Sequence, residues 1–194
     1  MSRLDLVVGP NGAGKSTFVE YVLTDARPGA VFVNADLIAE ERWPDEPEAR
    51  GYEAAEAAEE LRNALLESGE PFIAETVASH PSKVDLVRRA LAAGYHVHLI
   101  VIAVPVEYSV ERVALRHAAG GHGVPPDKIH SRYERLWSNV ADMIELANSA
   151  EVFDNTGDGP KTIATFVNGG SIGAPRWPTW TPLALAARWP AGVA

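Results

Sequence analysis

Short apolar runs rich in β-branched residues alternate along the chain with longer amphipathic stretches. The runs Leu4–Val8, Ala30–Val33, Pro71–Ala74, His96–Val104 and Glu151–Phe153 predict strands. Continuous apolar runs of that length suit a sheet buried on both faces. Between them the pattern predicts helices over Lys15–Asp25, Glu48–Ser68, Ser82–Ala93, Val106–Ala119 and Pro126–Ser149. In the second of these, Ala54, Ala58, Leu61 and Leu65 recur at helical spacing, while Glu53, Glu56 and Glu60 fall elsewhere on the wheel. Gly69 and Gly94 stand where helix C-caps are expected. Strands alternating with helices predict an α/β domain, a parallel sheet covered by helices.

A length of 194 residues suits one compact domain, here residues 1–169. Past Gly169 the composition turns to Pro, Trp and Gly, so residues 170–194 read as a tail packed on that core through Trp177, Trp180 and Trp189. The chain has no cysteine, which excludes disulfides, thiolate metal sites and cysteine catalysis, and suits a reducing, cytoplasmic setting. The apolar run Leu4–Val8 is too short for a signal peptide core or a membrane span. A net charge of −9 argues against nucleic acid as a partner, and nothing calls for a membrane. The charge is unevenly placed. Residues 36–75 hold 13 acids against 3 arginines, whereas Arg112 to Arg132 hold four basic residues and one acid. Such runs are commonly solvated helix faces, or they mark one acidic and one phosphate-handling side.

The stretch Gly9-Pro10-Asn11-Gly12-Ala13-Gly14-Lys15-Ser16 satisfies the phosphate-loop pattern G-x-x-x-x-G-K-[ST], with Thr17 next in line. It follows a predicted strand and opens a predicted helix, the context that distinguishes it from a chance glycine-rich turn. Its backbone N–H groups and the helix N-terminus would surround the phosphates of ATP, Lys15 would reach the β/γ-phosphates, and Ser16 would ligate Mg²⁺. The chain lacks an LSGGQ-like segment with a strand-ending Asp-Glu pair, and it lacks Asn-Lys-x-Asp for guanine. A small-molecule kinase needs less: an acceptor site, a base for the attacking hydroxyl and a basic lid.

Asp36, just beyond the second predicted strand, is the candidate base; equally, it would serve as the cap of a short following helix. Glu75 ends the third predicted strand and would bind substrate hydroxyls or a Mg²⁺-bound water, or simply face solvent; Thr76 and Ser79 follow it in the acceptor set. Arg112 and Arg116, one helical turn apart, precede Gly120-Gly121-His122-Gly123, and Lys128, Arg132 and Arg135 come after. This pattern predicts a mobile lid over about 112–132 whose guanidinium groups close on the γ-phosphate, some of them instead pairing with Glu111 or Glu134. His122 joins the nucleotide set, and Asn155, in Asp154-Asn155-Thr156-Gly157, is placed to meet the adenine, although an ordinary Asx turn explains Asp154.

In order, these segments resemble zeta-toxin-type kinases. The likeness runs through Gly9–Thr17, Asn34-Ala35-Asp36, Phe72-Ile73-Ala74-Glu75-Thr76, Ser79-His80-Pro81-Ser82-Lys83, the Ala93–Val104 strand, Gly120–Pro125 and Val152-Phe153-Asp154-Asn155. The resemblance implies a three-layer P-loop kinase fold with sheet order 2-3-1-4-5 and a small helical lid. It implies transfer from ATP to a sugar hydroxyl of UDP-N-acetylglucosamine or another nucleotide-linked acceptor. Asp36 would be the base, Lys15 the phosphate clamp, Arg112 a lid arginine, and Glu75 and Glu59 acceptor ligands. It also raises an antitoxin protein as a partner, without implying toxicity. Two positions depart from the family pattern: a threonine and an arginine beyond the strand-ending glutamate are here Val77 and Ser79, and a lid arginine falls near His122. Both departures bear on the acceptor more than on the reaction. Two rivals remain, a non-catalytic ATP-binding module docking a partner through its tail, and a simple ATPase.

Overall fold

The computed structural model describes residues 2–121 and 123–192. Among the described residues, seven strands form one sheet: β1 (Arg3–Val8), β2 (Val31–Val33), β3 (Phe72–Thr76), β4 (His96–Ala103), β5 (Ser149–Asp154), β6 (Lys161–Val167) and β7 (Gly170–Ser171). Their order is β2-β3-β1-β4-β5-β6-β7. The first five are mutually parallel, with Val8 opposite Thr76 and Val101, and carry the expected order; β6 and β7 extend the sheet antiparallel.

Alternation along the strands sorts the core into two sides. Leu4, Leu6 and Val8 face one side with Val97, Leu99 and Val101, while Val7 faces the other with Ile100 and Ile102. Both faces of the central strands are therefore apolar, which is why they read as unbroken apolar runs. One side is covered by the first helical stretch, α1, which is α-helical over Lys15–Phe18, π-helical over Val19–Leu23 and α-helical again over Thr24–Ala26. The other side is covered by α3 (Gly51–Ser68), α4 (Ser82–Ala92) and α6 (Pro126–Leu146). Two further helices, α2 (Ala35–Arg42) and α5 (Val106–Ala118), lie over the carboxyl edge of the sheet beside the phosphate loop, and a short α7 (Leu183–Ala186) follows near the end. No described helix is long and apolar enough to cross a membrane.

Residues 170–192 begin as β7, paired to β6, and then pack back on the core. The Trp177 Nε1–H donates to the Trp189 carbonyl at 2.6 Å, and Trp189 packs at a tilt of 59° against Phe166 with ring centroids 4.8 Å apart. Arg188 pairs with Asp142 and Glu145 on α6, at 2.8 and 3.2 Å. At the opposite end, Asp5 is 2% exposed and accepts hydrogen bonds from Arg3 and, across from the end of α1, from Arg27 at 2.9 Å. Burial alone would raise the Asp5 carboxyl, but the hydrogen bonds from the two guanidinium groups outweigh it and hold its pKa below the ordinary value. The stabilisation is therefore present at neutral pH and is lost as pH falls below the unfolded value of about 3.9 and through the lower folded one. Asp5→Asn should cost about 1.5–3 kcal/mol at pH 7, the range for hydrogen bonds to charged groups. Urea denaturation from pH 7 to pH 2.5 should show the difference from wild type shrinking toward acid.

Candidate active site

The phosphate loop crosses from β1 to α1 on backbone that only glycine permits at its start. Gly9 has φ +150, and a Cβ there would overlap the Ile102 carbonyl oxygen of β4. The loop is tied to its surroundings by side chains distant in sequence. Asn155, just past β5, donates from Nδ2 to the Ala13 carbonyl at 2.7 Å. The Ser109 hydroxyl of α5 donates to the Asn11 carbonyl, and Arg132 of α6 reaches the Asn11 amide oxygen at 3.4 Å. Gly9, Pro10 and Ala13 form the buried underside of the loop, and Ser16 and Thr17 open to solvent.

Lys15 is 7% exposed; its ammonium donates to the Pro10 carbonyl at 2.9 Å and lies 3.9 Å from Glu75 Oε1. Burial pulls its pKa below the ordinary lysine value; Glu75 and Asp36 oppose that shift, and Arg116 and Arg132 add to it. Five of these groups thus share one electrostatic neighbourhood. Arg112 reaches it too: its guanidinium donates to the Asn155 carbonyl at 2.9 Å and stacks on Tyr108, 5.6 Å from the ring centroid.

Glu75 lies inside β3, one residue before its end, where it is pinned from two directions. The Ser16 hydroxyl donates to Oε1 at 3.2 Å, and Asn34 Nδ2 donates to Oε2 at 2.7 Å. Asn34 is the N-cap of α2, its side-chain oxygen accepting from the N–H groups of Asp36 and Leu37. The cap of α2 is therefore Asn34, not Asp36, because the helix starts at Ala35, two residues earlier than a cap at Asp36 requires. Asp36 is left facing the cleft.

That cleft, about 1850 Å³, is lined by Asn11, Lys15, Ser16, Asp36, Glu75, Thr76, Ser79, Arg112, Arg116 and Asn155, among others. Since single ligand pockets run to about 1,000 Å³, it has room for two molecules. Opposite the loop, the Gly123 N–H donates to the Glu48 carboxylate at 2.9 Å, joining the glycine segment to the approach to α3. His122 lies outside the described residues.

Glu59 is not brought to the cleft. Ala55, Ala58 and Arg62 present one face of α3 to it, and Glu59 stands about 100° round the helix from Ala58. Its carboxylate meets Lys83 at 3.9 Å and Arg89 at 3.7 Å instead. Asn34, Arg62 and Ser109 line or brace the site and were not singled out in the sequence. Asn34 carries a readable signal, an Asn just before a helix; Arg62 and Ser109 carry none that separates them from ordinary helix residues.

The family model described as Zeta toxin matches residues 3–158. The chain belongs to the Zeta toxin family. A protein of Haemophilus influenzae described as uncharacterised is 28% identical over 126 residues, 64% of this chain and 88% of that one. Among solved structures, a chain of the AvrRxo1-ORF1:-ORF2 complex with ATP is similar over 89% of this chain, with TM-score 0.69 and 19% identity. This chain spans only 60% of that chain's length. A structure from the PezAT toxin–antitoxin system of Streptococcus pneumoniae is similar over 85% of this chain and 71% of its own, with TM-score 0.62 and 16% identity. At those identities the likeness is one of fold. Family membership and an intact phosphate loop make this Zeta toxin family member an ATP-using P-loop phosphotransferase.

The oxygens of Ser16 and Glu75 beside the loop fit Mg²⁺, a hard cation that takes one or two protein oxygens together with substrate phosphates and water. Asn155→Ala should weaken ATP binding about three- to tenfold, one hydrogen bond's worth, by loosening Ala13 without unfolding the chain. Calorimetric titration with ATP, with thermal melting as a control, reads this.

Proposed function

We propose that the protein transfers the γ-phosphoryl of Mg²⁺-ATP to a hydroxyl of a small nucleotide-linked acceptor, a nucleotide sugar such as UDP-N-acetylglucosamine or a dinucleotide. The observation that carries this reading is Asp36. It is uncommitted to capping, lines the cleft, and lies within the electrostatic reach of Lys15. A carboxylate there accepts the acceptor hydroxyl's proton as its oxygen attacks the γ-phosphorus. Lys15 and the guanidinium groups of Arg112, Arg116 and Arg132 hold the terminal phosphate and offset the charge spread over its oxygens. Ser16 and Glu75 would hold Mg²⁺, which when bound offsets phosphate charge. Thr76 and Ser79 contact the acceptor, and Asn155 holds the loop and borders the nucleotide.

Residues 1–169 act as the kinase domain in this proposal. The segment at about 112–132 serves as the lid, closing from the α5–α6 side, where Arg112, Arg116 and Arg132 originate. Mechanistically, closure excludes water and so favours transfer over hydrolysis. An antitoxin-type protein partner is the matching proposal from the likeness to the PezAT system.

Asp36→Asn should lower transfer about 10²- to 10⁴-fold while leaving ATP affinity near wild type, the loss general-base catalysis supplies. Mass spectrometry of products from ATP and a panel of nucleotide sugars and dinucleotides measures it. Transfer surviving at the wild-type rate would remove Asp36 from the role.

A further inference from the structure

Behind the acceptor side of the cleft lie a left-handed alanine and a buried amide. Ala78, just past β3, has φ 63° and is 1% exposed. With Asn168 it is one of two described non-glycine residues at positive φ, where Cβ crowds the following carbonyl. Asn139 of α6 is 8% exposed, between Leu136 and Met143, both fully buried about one turn to either side. The two residues meet: Asn139 Nδ2 donates to the Ala78 carbonyl at 2.9 Å. A left-handed alanine persists only where its surroundings hold it, and Asn139 supplies that hold.

On its other side, the Ala78 N–H donates to Thr76 Oγ1 at 3.4 Å. No described residue accepts from the Thr76 hydroxyl, so its O–H is left to donate into the cleft that Thr76, Val77 and Ser79 line. The same helix also reaches the nucleotide side. Arg132, which donates to the Asn11 amide oxygen of the phosphate loop at 3.4 Å, precedes Asn139 by seven residues. Seven residues are two turns, about 10.5 Å along the axis with about 20° of residual rotation, so both side chains leave one face of α6. The nucleotide loop and the acceptor segment are thus held by one helix. Phosphoryl transfer needs the attacking oxygen about 3–3.5 Å from phosphorus, and an error of about 1 Å is felt in the rate.

We propose that Asn139 is a positioning residue for the acceptor. By holding Ala78 in the left-handed conformation it sets the Thr76–Ser79 segment against the phosphate loop, at a spacing that α6 fixes. Asn139 does not line the cleft and acts through Ala78 and Thr76. This role rests on the kinase reading and adds to it the residue that aligns the acceptor hydroxyl with ATP.

The test measures transfer from ATP to UDP-N-acetylglucosamine by mass spectrometry, and ATP binding by calorimetry, in wild type and three variants. Asn139→Ala should raise the acceptor KM about three- to tenfold, one hydrogen bond's worth, and lower kcat. The Kd for ATP should be unchanged, which also reports a folded chain. Asn139→Leu, which fills the space without an amide, should shift the acceptor KM the same way and serves if the alanine variant unfolds. Glycine adopts the left-handed conformation without penalty, so Ala78→Gly added to Asn139→Ala should recover most of the acceptor KM. A merely structural Asn139 would lower Tm and leave the acceptor KM where it was, with nothing for glycine to recover. An acceptor KM equal to wild type in Asn139→Ala or Asn139→Leu, or no recovery in the double variant, overturns the role and leaves the kinase reading standing. Wild type that binds ATP and phosphorylates no UDP-N-acetylglucosamine overturns that acceptor and the role together.

Discussion

Everything at the carboxyl edge of the sheet depends on the phosphate loop being held open by residues far from it in sequence. Asn155 grips Ala13, Ser109 grips Asn11, and Arg132 reaches the Asn11 side chain, while Gly9 lets the loop start flush against the Ile102 carbonyl. These contacts come from the end of β5, from α5 and from α6, so the loop geometry is a product of the completed sheet. A loop so braced presents its N–H groups to a phosphate with little reorganisation left to make, which is where electrostatic catalysis gains. The same braces place Arg112 and Arg132 beside it, because Arg112 donates to the Asn155 carbonyl.

The second consequence is a chain of contacts across the active edge. Ser16 donates to Glu75, Glu75 accepts from Asn34, and Asn34 caps the helix that carries Asp36. The Ser16 hydroxyl and the helix that carries Asp36 are thus joined through two side chains. Lys15 sits buried between the acids and the arginines, its pKa lowered by burial and restored in part by Glu75 and Asp36. In the proposed function, phosphate in the loop would replace those carboxylates as the main counter-charge of Lys15 and leave Asp36 to take the acceptor's proton.

The five parallel strands and their order were readable because apolar runs buried on both faces admit few alternatives. The phosphate loop was readable because its octet carries its own context. Less was visible where the structure depends on neighbours. The antiparallel β6, Lys161–Val167, alternates in burial at the end of the sheet, a pattern too short to declare itself in sequence. Glu75 read as a strand-ending carboxylate but lies within β3, since the strand runs on through Thr76. Glu59 was carried into the acceptor set by resemblance alone, and one step of helical rotation removes it. The net charge of residues 36–75 marked that stretch only as an acidic side of the chain. The sum concealed that Arg62 within the stretch and Lys83 just beyond it meet at the cleft, because helical phase and a partner helix decide which charges converge.

The central claim is that ATP is spent on an acceptor hydroxyl and not on water. Supplying ATP with ¹⁸O in its three terminal non-bridging oxygens, together with a mixed pool of phosphate-bearing alcohols, follows the fate of that phosphoryl group by mass spectrometry. The account predicts the heavy label in an organic phosphate ester, dependent on added acceptor. Label appearing only in inorganic phosphate, at a rate indifferent to the pool, would contradict it.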